Sequence, residues 1–375
     1  MLTIARLDFA KINNLTTTGP KDKSSRRESS PDLTTTFNLD TLIEEVTNSL
    51  YAGHRFPRSV ERNTSPYSPE FVKTPRAPGL ETKPQDKLSV VTRVEDQDGW
   101  TVRSVSGAWR RIAMNLIGNA LKFTTSGFIE VTLSKSDIAT DPHHALAHLS
   151  VIDTGPGISP DFLQNRIFTP FSQEDILSEG VGLGLSIVQQ LVISLGGSVE
   201  VKSEVGLGTQ VDVFIPIERQ TPSSIPVLGT DSQAKKVCLV GFNGFTDLKK
   251  TPDGMLSTEA KRKLAVRRSL SNIFLTQPGW MVSFSESLND GSGDIAVIEE
   301  DRLQEIAMND VKKTVFERLI VLGDCGANLS TGSNSTTIKD EKAIYVTQPY
   351  VLNFNLELND ANPSTGSALE RSLRL

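Results

Sequence analysis

Cysteine is almost missing from this chain of 375 residues: Cys238 and Cys325 are the only two. With no CxxC spacing and just four histidines, the sequence has neither a disulfide framework nor a zinc-like ligand pattern. A reduced compartment is expected, and the localisation read from it is cytoplasmic. Long hydrophobic runs are missing too. No window approaches the roughly 18 consecutive apolar residues of a membrane-spanning helix, and the opening residues show no basic stretch leading into an apolar one. No membrane span is therefore expected. Basic runs are absent and the formal charge is -6, which argues against nucleic acid or an anionic lipid surface as a partner. What the chain does have is 37% hydrophobic residues, enough at this length for two or three domains with real cores.

Leu2, Ala5, Phe9 and Ile12 recur at spacings of three and four, which predicts an amphipathic helix over the first dozen residues. Residues 16–36, rich in Ser, Thr, Lys and Arg, read as a linker. Leu39, Leu42, Ile43, Val46 and Leu50 form the stripe of a second helix, with Asp40 placed to cap its start and Gly53 near its end. Six prolines between 57 and 87 suit a flexible insertion. From Leu88 to Val105 a partial alternation around Asp98-Gly99 predicts a hairpin. Helix returns at Trp109, with Ile112, Leu116, Ala120 and Phe123 on one face and Asn115, Asn119 and Lys122 on another. Strands are expected at 128–134 and 146–152, a buried helix from Ser186 to Leu195 closed by Gly196-Gly197, and a strand pair at 198–203 and 209–215. After a Pro/Ser-rich break, short apolar runs at 237–242, 281–284, 294–298, 318–322 and 343–347 show the alternation of a small α/β domain.

Four short motifs follow one another between Trp109 and Pro216. In Asn115-Leu-Ile-Gly-Asn119-Ala-Leu-Lys122-Phe-Thr, helical spacing lines up two amides and an ammonium. An amide oxygen suits the oxygen shell of Mg²⁺, and a lysine suits a phosphate; alone, the stripe reads equally well as a polar helix surface. Asp153-Thr-Gly155-Pro-Gly157 puts a carboxylate before a Gly-x-Gly turn, where backbone can approach a planar ring and the carboxylate can accept from an exocyclic amine. Alone it is a tight loop. Phe168 and Phe171 flank Pro170 and alone would be core. Gly180, Gly182 and Gly184 run into Leu185 and Ser186, presenting backbone N–H groups and a positive helix end to phosphate. The residues before these glycines, Ser172-Gln-Glu-Asp, are polar rather than a strand, unlike a dinucleotide fold, and no GxxxxGK[ST] occurs anywhere.

Together with Glu204-Val-Gly206-Leu-Gly208-Thr209, these motifs in this order resemble the catalytic and ATP-binding domain of sensor histidine kinases, within the wider superfamily of related ATPases and kinases. The resemblance covers residues 88–217, and Gly107-Ala-Trp109-Arg110-Arg111 with Phe168-Thr-Pro-Phe171-Ser-Gln-Glu is similar to the fungal hybrid kinases. It implies an α+β chain: an α/β sandwich of the Bergerat type, followed by a smaller receiver-like α/β domain. It implies ATP and Mg²⁺ as cofactors. Asn119 would hold Mg²⁺, Lys122 phosphate, Asp153 the adenine amine, and Phe168 with Phe171 an aromatic hinge, while Thr209 would lie near the phosphates. Asn115, Asn119 and Lys122 would be the catalytic set. Relatives that hydrolyse ATP carry a glutamate where this chain has Asn115, so the pocket suits transfer of a phosphoryl group to a histidine rather than hydrolysis.

Several parts of that family are not found. No Ser-His-Glu/Asp-x-Arg acceptor box occurs; His54, His143, His144 and His148 read as ordinary surface or boundary histidines. The opening segment resembles the end of the second dimerisation helix, so the acceptor helices are expected in trans or in a missing N-terminal part, with a downstream receiver or phosphotransfer protein as a further partner. From Ile167 to Val201 there is no Lys or Arg, although many relatives place a cation there. In the receiver-like half, the places of the acidic residues, the acceptor Asp and the Lys read Val240-Gly241-Phe242, Ile298-Glu299-Glu300 and Thr347-Gln348-Pro349. The expected organisation is thus 1–15 end of a dimerisation helix, 16–36 linker, 37–217 ATP-binding domain with insertion 57–87, 218–233 linker, 234–350 degenerate receiver-like domain and 351–375 disordered tail.

Overall fold

Alternation of apolar and polar residues with period two builds the first sheet. In the computed structural model, which describes residues 3–7, 34–60, 88–95, 99–138, 141, 144–174, 180–219, 234–242, 257–275, 279–304, 315–323 and 343–348, the chain divides into two units. One is Met1–Val90 with Gly99–Thr221; the other is Val91–Asp98 with Pro222–Leu375.

The first unit runs β1 (Thr3–Leu7), β2 (Thr35–Asn38), α1 (Leu39–Val60), the start of β3 (Leu88–Val94), β4 (Thr101–Ser104), α2 (Ser106–Phe123), β5 (Gly127–Asp137), β6 (His144–Asp153), α3 (Pro160–Asn165), α4 (Gly184–Ser194), β7 (Ser198–Glu204) and β8 (Gly208–Arg219). Its sheet is antiparallel, in the order β1-β7-β8-β6-β5. Register fixes its two faces. Val131, Val151, Val211 and Val201 are mutual partners, as are Leu133, Leu149, Val213 and Val199, and all are buried. Residues opposite each other share a face, so these rows form one apolar side. Helix α2 has a matching buried stripe of Trp109, Ile112, Ala113, Leu116, Ile117 and Ala120. Trp109 is fully buried and its indole N–H donates to Ser104 Oγ at 3.1 Å. Helices on one face of a sheet make an α/β sandwich.

The intervening rows are polar: Thr132, Ser150, Asp212 and Glu200, then Ser134, His148 and Phe214. Asp212 is buried there. Burial alone would raise its carboxyl, but hydrogen bonds from His148 at 3.0 Å and Gln210 at 2.9 Å hold it well below the usual carboxylate range.

Six expectations change at this level. Thr3–Leu7 is a strand on the edge of β7, with Ile4 opposite Lys202, not a helix; an uncapped short helix gains less than an edge ladder whose backbone groups need partners. Phe9 and Ile12 lie outside the described residues. Thr35 and Thr36, assigned to the linker, pair with Ser104 and Arg103. The hairpin around Gly99 does not form, because β4 pairs with β2 and β8 instead. Helix α1 continues past Gly53 to Val60. Phe123, placed on the apolar face of α2, is 43% exposed with the Lys122 ammonium 4.4 Å above its ring. Strand β8 reaches Arg219, two residues into the expected linker. Of the insertion expected at 57–87, residues 57–60 belong to α1; the rest of it and the tail 351–375 lie outside the described residues.

The second unit has β9 (Lys236–Val240), α5 (Thr258–Leu275), β10 (Met281–Ser285), β11 (Ile295–Glu299), α6 (Glu300–Gln304), β12 (Arg318–Gly323) and β13 (Ala343–Thr347). All its strand pairs are parallel, in the order β10-β9-β11-β12-β13. Numbered by their own sequence order, that is 2-1-3-4-5, a doubly wound arrangement. Val237, Leu239, Val297 and Ile320 face Val266, Leu270 and Phe274 of α5, while Cys238, Val240, Ile298 and Val321 line the other side. Burial on both faces explains why these strands read as unbroken apolar runs. Among the described residues, no helix is long and apolar enough to cross a membrane.

Candidate functional site

Helix α2 carries Asn115, Asn119 and Lys122 in one row, and the glycines 180–184 lie along that row. A Cβ on Gly184 would sit 3.2 Å from Asn115 Oδ1 and 3.5 Å from Asn119 Nδ2, and one on Gly180 would sit 3.3 Å from Lys122 Nζ. Asn115 spends its amide donor on the Arg111 carbonyl at 2.7 Å, which leaves its oxygen toward the start of α4. Helix α4 begins at Gly184 with no side-chain cap, so its first N–H groups and the positive end of its dipole face the amide row. The lid is tied at one end by Gln173, whose Nε2 donates to the Gly180 carbonyl at 2.7 Å. Residues 175–179 of the lid lie outside the described residues.

The hinge before the lid is held by its backbone. A Cβ on Gly182 would meet Ser172 O at 2.7 Å and Phe171 C at 2.9 Å, so only glycine lets these segments touch. Phe171 has a positive φ of 60° and is 72% exposed; Phe168 is half-buried and Leu185 half-buried on the first turn of α4. The two phenylalanines therefore differ: one faces solvent, the other packs.

A second cluster forms where β6 ends. Asp153 is partnered in register with Thr209, and its Oδ1 accepts from Gly155 N at 2.8 Å. Burial raises the Asp153 carboxyl from 3.8 to about 6, against the lowering effect of the Gly155 and Thr209 N–H groups and the Thr124 hydroxyl. Two glycines make the approach possible. A Cβ on Gly208 would lie 2.0 Å from Asp153 O, and one on Gly157 would lie 2.2 Å from Glu204 O. Gly206 N donates to Pro156 O at 2.7 Å. Ser203, which no sequence signal marked, joins the pieces: its hydroxyl accepts from Ile158 N at 2.9 Å, bonds Gly208 O at 2.9 Å and meets Thr209 Oγ1 at 3.0 Å. Glu174 accepts from Ser159 N at 3.0 Å, fastening the hinge to the loop after Asp153.

Among the described residues, no group of three or more His, Cys, Asp or Glu side chains converges to hold a metal. A divalent cation here would rest on the Asn119 amide oxygen and on oxygens of a bound polyphosphate, the donor set that suits Mg²⁺. The open glycine row and uncapped helix start fit the phosphates.

These residues lie in a segment whose kind the sequence comparison names. Residues 105–219 match the family model described as Histidine kinase-, DNA gyrase B-, and HSP90-like ATPase. That segment is a domain of this family. Known proteins match stretches of the chain a little longer than that segment. Sensor histidine kinase AtsR of Burkholderia thailandensis is 35% identical over 143 residues, 37% of this chain and 23% of that protein. Autoinducer 2 sensor kinase/phosphatase LuxQ of Vibrio vulnificus is 40% identical over 143 residues, 36% of this chain and 16% of its own length. Histidine protein kinase 1 of Candida albicans is 36% identical over 136 residues, 35% of this chain and 5% of that protein. The chain thus spans less than a quarter of the length of these curated relatives.

Proposed function

We propose that the ATPase-family domain binds MgATP and donates its γ-phosphoryl group to a histidine on dimerisation helices supplied from outside the described residues. The observation that carries this reading is the row Asn115-Asn119-Lys122 set against the glycine lid. The first position of that row is an amide, so no carboxylate stands there to activate water. What bound MgATP supplies is the phosphoryl group and its charge-neutralising metal. The chain's own part is to hold it: Asp153 accepts from the adenine amine, Asn119 takes one place on Mg²⁺, Lys122 meets phosphate, and the lid amides with the α4 dipole spread the negative charge.

Two of the described histidines are engaged within this domain, which favours an acceptor in trans. His144 is bonded to Asp141 at 2.7 Å, and His148 is held by Asp212 at 3.0 Å while stacked on Phe214. The second unit fits as a receiver-like module without phosphorelay chemistry, because the 2-1-3-4-5 order is present while Glu299 ends β11 in an ion pair with Arg262 at 2.7 Å. The fungal hybrid type and a downstream receiver partner remain part of this same proposal.

Incubating the chain with labelled MgATP and a separate hairpin protein bearing an acceptor histidine tests it. Label on that histidine, reduced at least about a hundredfold in Asn119→Asp, is the expected result. Nucleotide binding without any label would instead favour a scaffold that senses ATP, the reading favoured by the cation-free stretch 167–201.

A further inference from the structure

Helix α2 has a direction along the proposed nucleotide. Its C-terminal end lies at the base acceptor, because a Cβ on Gly155 would be 2.9 Å from Asp153 Oδ1 and 3.0 Å from Phe123 O. The polar row runs away from that end, with Lys122 beside Gly180, then Asn119 and Asn115 beside Gly184. A nucleotide with its base at Asp153 lays its phosphates along this row, so the terminal phosphate lies toward Asn115. Arg111 stands one turn further on in the same row. The Asn115 amide donates to the Arg111 carbonyl at 2.7 Å, so the Asn115 side chain covers the turn that Arg111 begins, and the start of α4 meets it there.

Two neighbouring arginines differ at this point. Arg110 donates to Glu45 Oε2 at 3.1 Å, whereas Arg111 is exposed and has no ion-pair partner among the described residues. Hinge and lid bring no cation, since the stretch from Ile167 to Val201 contains neither Lys nor Arg. Lys122 stands toward the base end, its ammonium 4.4 Å above the Phe123 ring.

We infer that Arg111 binds the terminal phosphate of ATP and stabilises the phosphoryl group during transfer, supplying from α2 the cation that the lid does not carry. The inference rests on the MgATP reading above and deepens it with a residue that the motifs leave without a role. In the transfer, the bond from the γ-phosphorus to the bridging oxygen breaks and its electron pair leaves on ADP. A bond to one imidazole nitrogen of the acceptor forms, and the other nitrogen releases its proton to solvent. A guanidinium suits the phosphoryl oxygens throughout, because its planar fork donates two parallel hydrogen bonds.

Nucleotides that differ in that one phosphate isolate the contact. In calorimetric titrations, Arg111→Ala is expected to weaken MgATP binding about tenfold and to leave MgADP binding unchanged. Label transfer to the histidine of a separate hairpin protein should fall about a hundredfold, with Arg111→Lys intermediate in both measurements. Melting without nucleotide should stay where it is, since the side chain is exposed. Arg110→Ala removes the same charge from the adjacent residue and should keep the ratio of ATP to ADP affinity. Unchanged ATP affinity in Arg111→Ala, equal losses for ATP and ADP, or the same loss in Arg110→Ala overturns the role of Arg111 alone. A parent chain that binds neither nucleotide overturns the MgATP reading and this inference with it.

Discussion

The nucleotide pocket of the first unit and the sheet edge of the second handle polar groups in opposite ways. In the candidate site, Asn115 Oδ1, Lys122 and Asp153 sit around glycines, and Asp153 accepts from the Gly155 N–H at 2.8 Å. At the C-terminal end of β11, beside the point where the parallel order reverses and such folds take ligands, the charges are matched to one another. Arg262 is 3% exposed; it bonds Glu299 at 2.7 Å and Glu259 at 2.6 Å and 2.8 Å. Burial alone would lower its guanidinium, but the two carboxylates raise it above the ordinary arginine value. Arg302 lies over Gly241, where a Cβ would be 3.2 Å from its Nε. One cluster is lined by glycine backbone that a ligand can approach, whereas the other is filled by side chains that pair with one another.

Breaking that contrast should give its largest effect in the second unit. Arg262→Met leaves Glu299 buried and uncompensated, and is expected to destabilise the chain by about 3–5 kcal/mol in urea denaturation without changing ATP affinity. Gly208→Ala comes next. Its Cβ would meet Asp153 O at 2.0 Å, at a φ of +124° that side chains rarely adopt, so a loss of about 3 kcal/mol together with loss of ATP binding is expected.

Asp153→Asn should act in the other direction on stability. The folded carboxyl titrates at about 6 against 3.8 unfolded, so the native state binds the extra proton in that window. The contribution of Asp153 is complete below about pH 4 and is lost as pH rises through about 6. At neutral pH the ionised group costs up to about 3 kcal/mol, and Asp153→Asn should recover part of it in thermal melts while weakening ATP. Parent and variant melting curves that run parallel from pH 4 to 7 would contradict this. The smallest effect belongs to Phe171→Ala: at 72% exposure, stability should move by no more than about 0.5 kcal/mol.

Much of the site was legible because its chemistry is local in sequence. The row Asn115-Asn119-Lys122 follows from helical spacing, and Gly180, Gly182 and Gly184 announce backbone that must come close to something. The second-unit strands at 237–242, 281–284, 294–298, 318–322 and 343–347 lie where the apolar runs placed them, within one or two residues, since strands buried on both faces need continuous apolar sequence. The misses involve distant partners. Thr3–Leu7 became a strand because β7 had a free edge. Ser203 looked like any strand serine until the turn at Gly208 and the loop at Ile158 came within reach of its hydroxyl.

Residue types and their spacing alone brought out the candidate site: amides and a lysine on one helix face, a carboxylate before Gly-x-Gly, a glycine lid entering a helix. Those signals survive without coordinates because each lies within a few residues, where backbone geometry is fixed by the local period. Only the tertiary structure decided which groups are already satisfied. It paired Arg262 with Glu299 across 37 positions and held His148 against Asp212 across 64. Burial and long-range contact set the cost of a polar group, and neither can be counted along a chain.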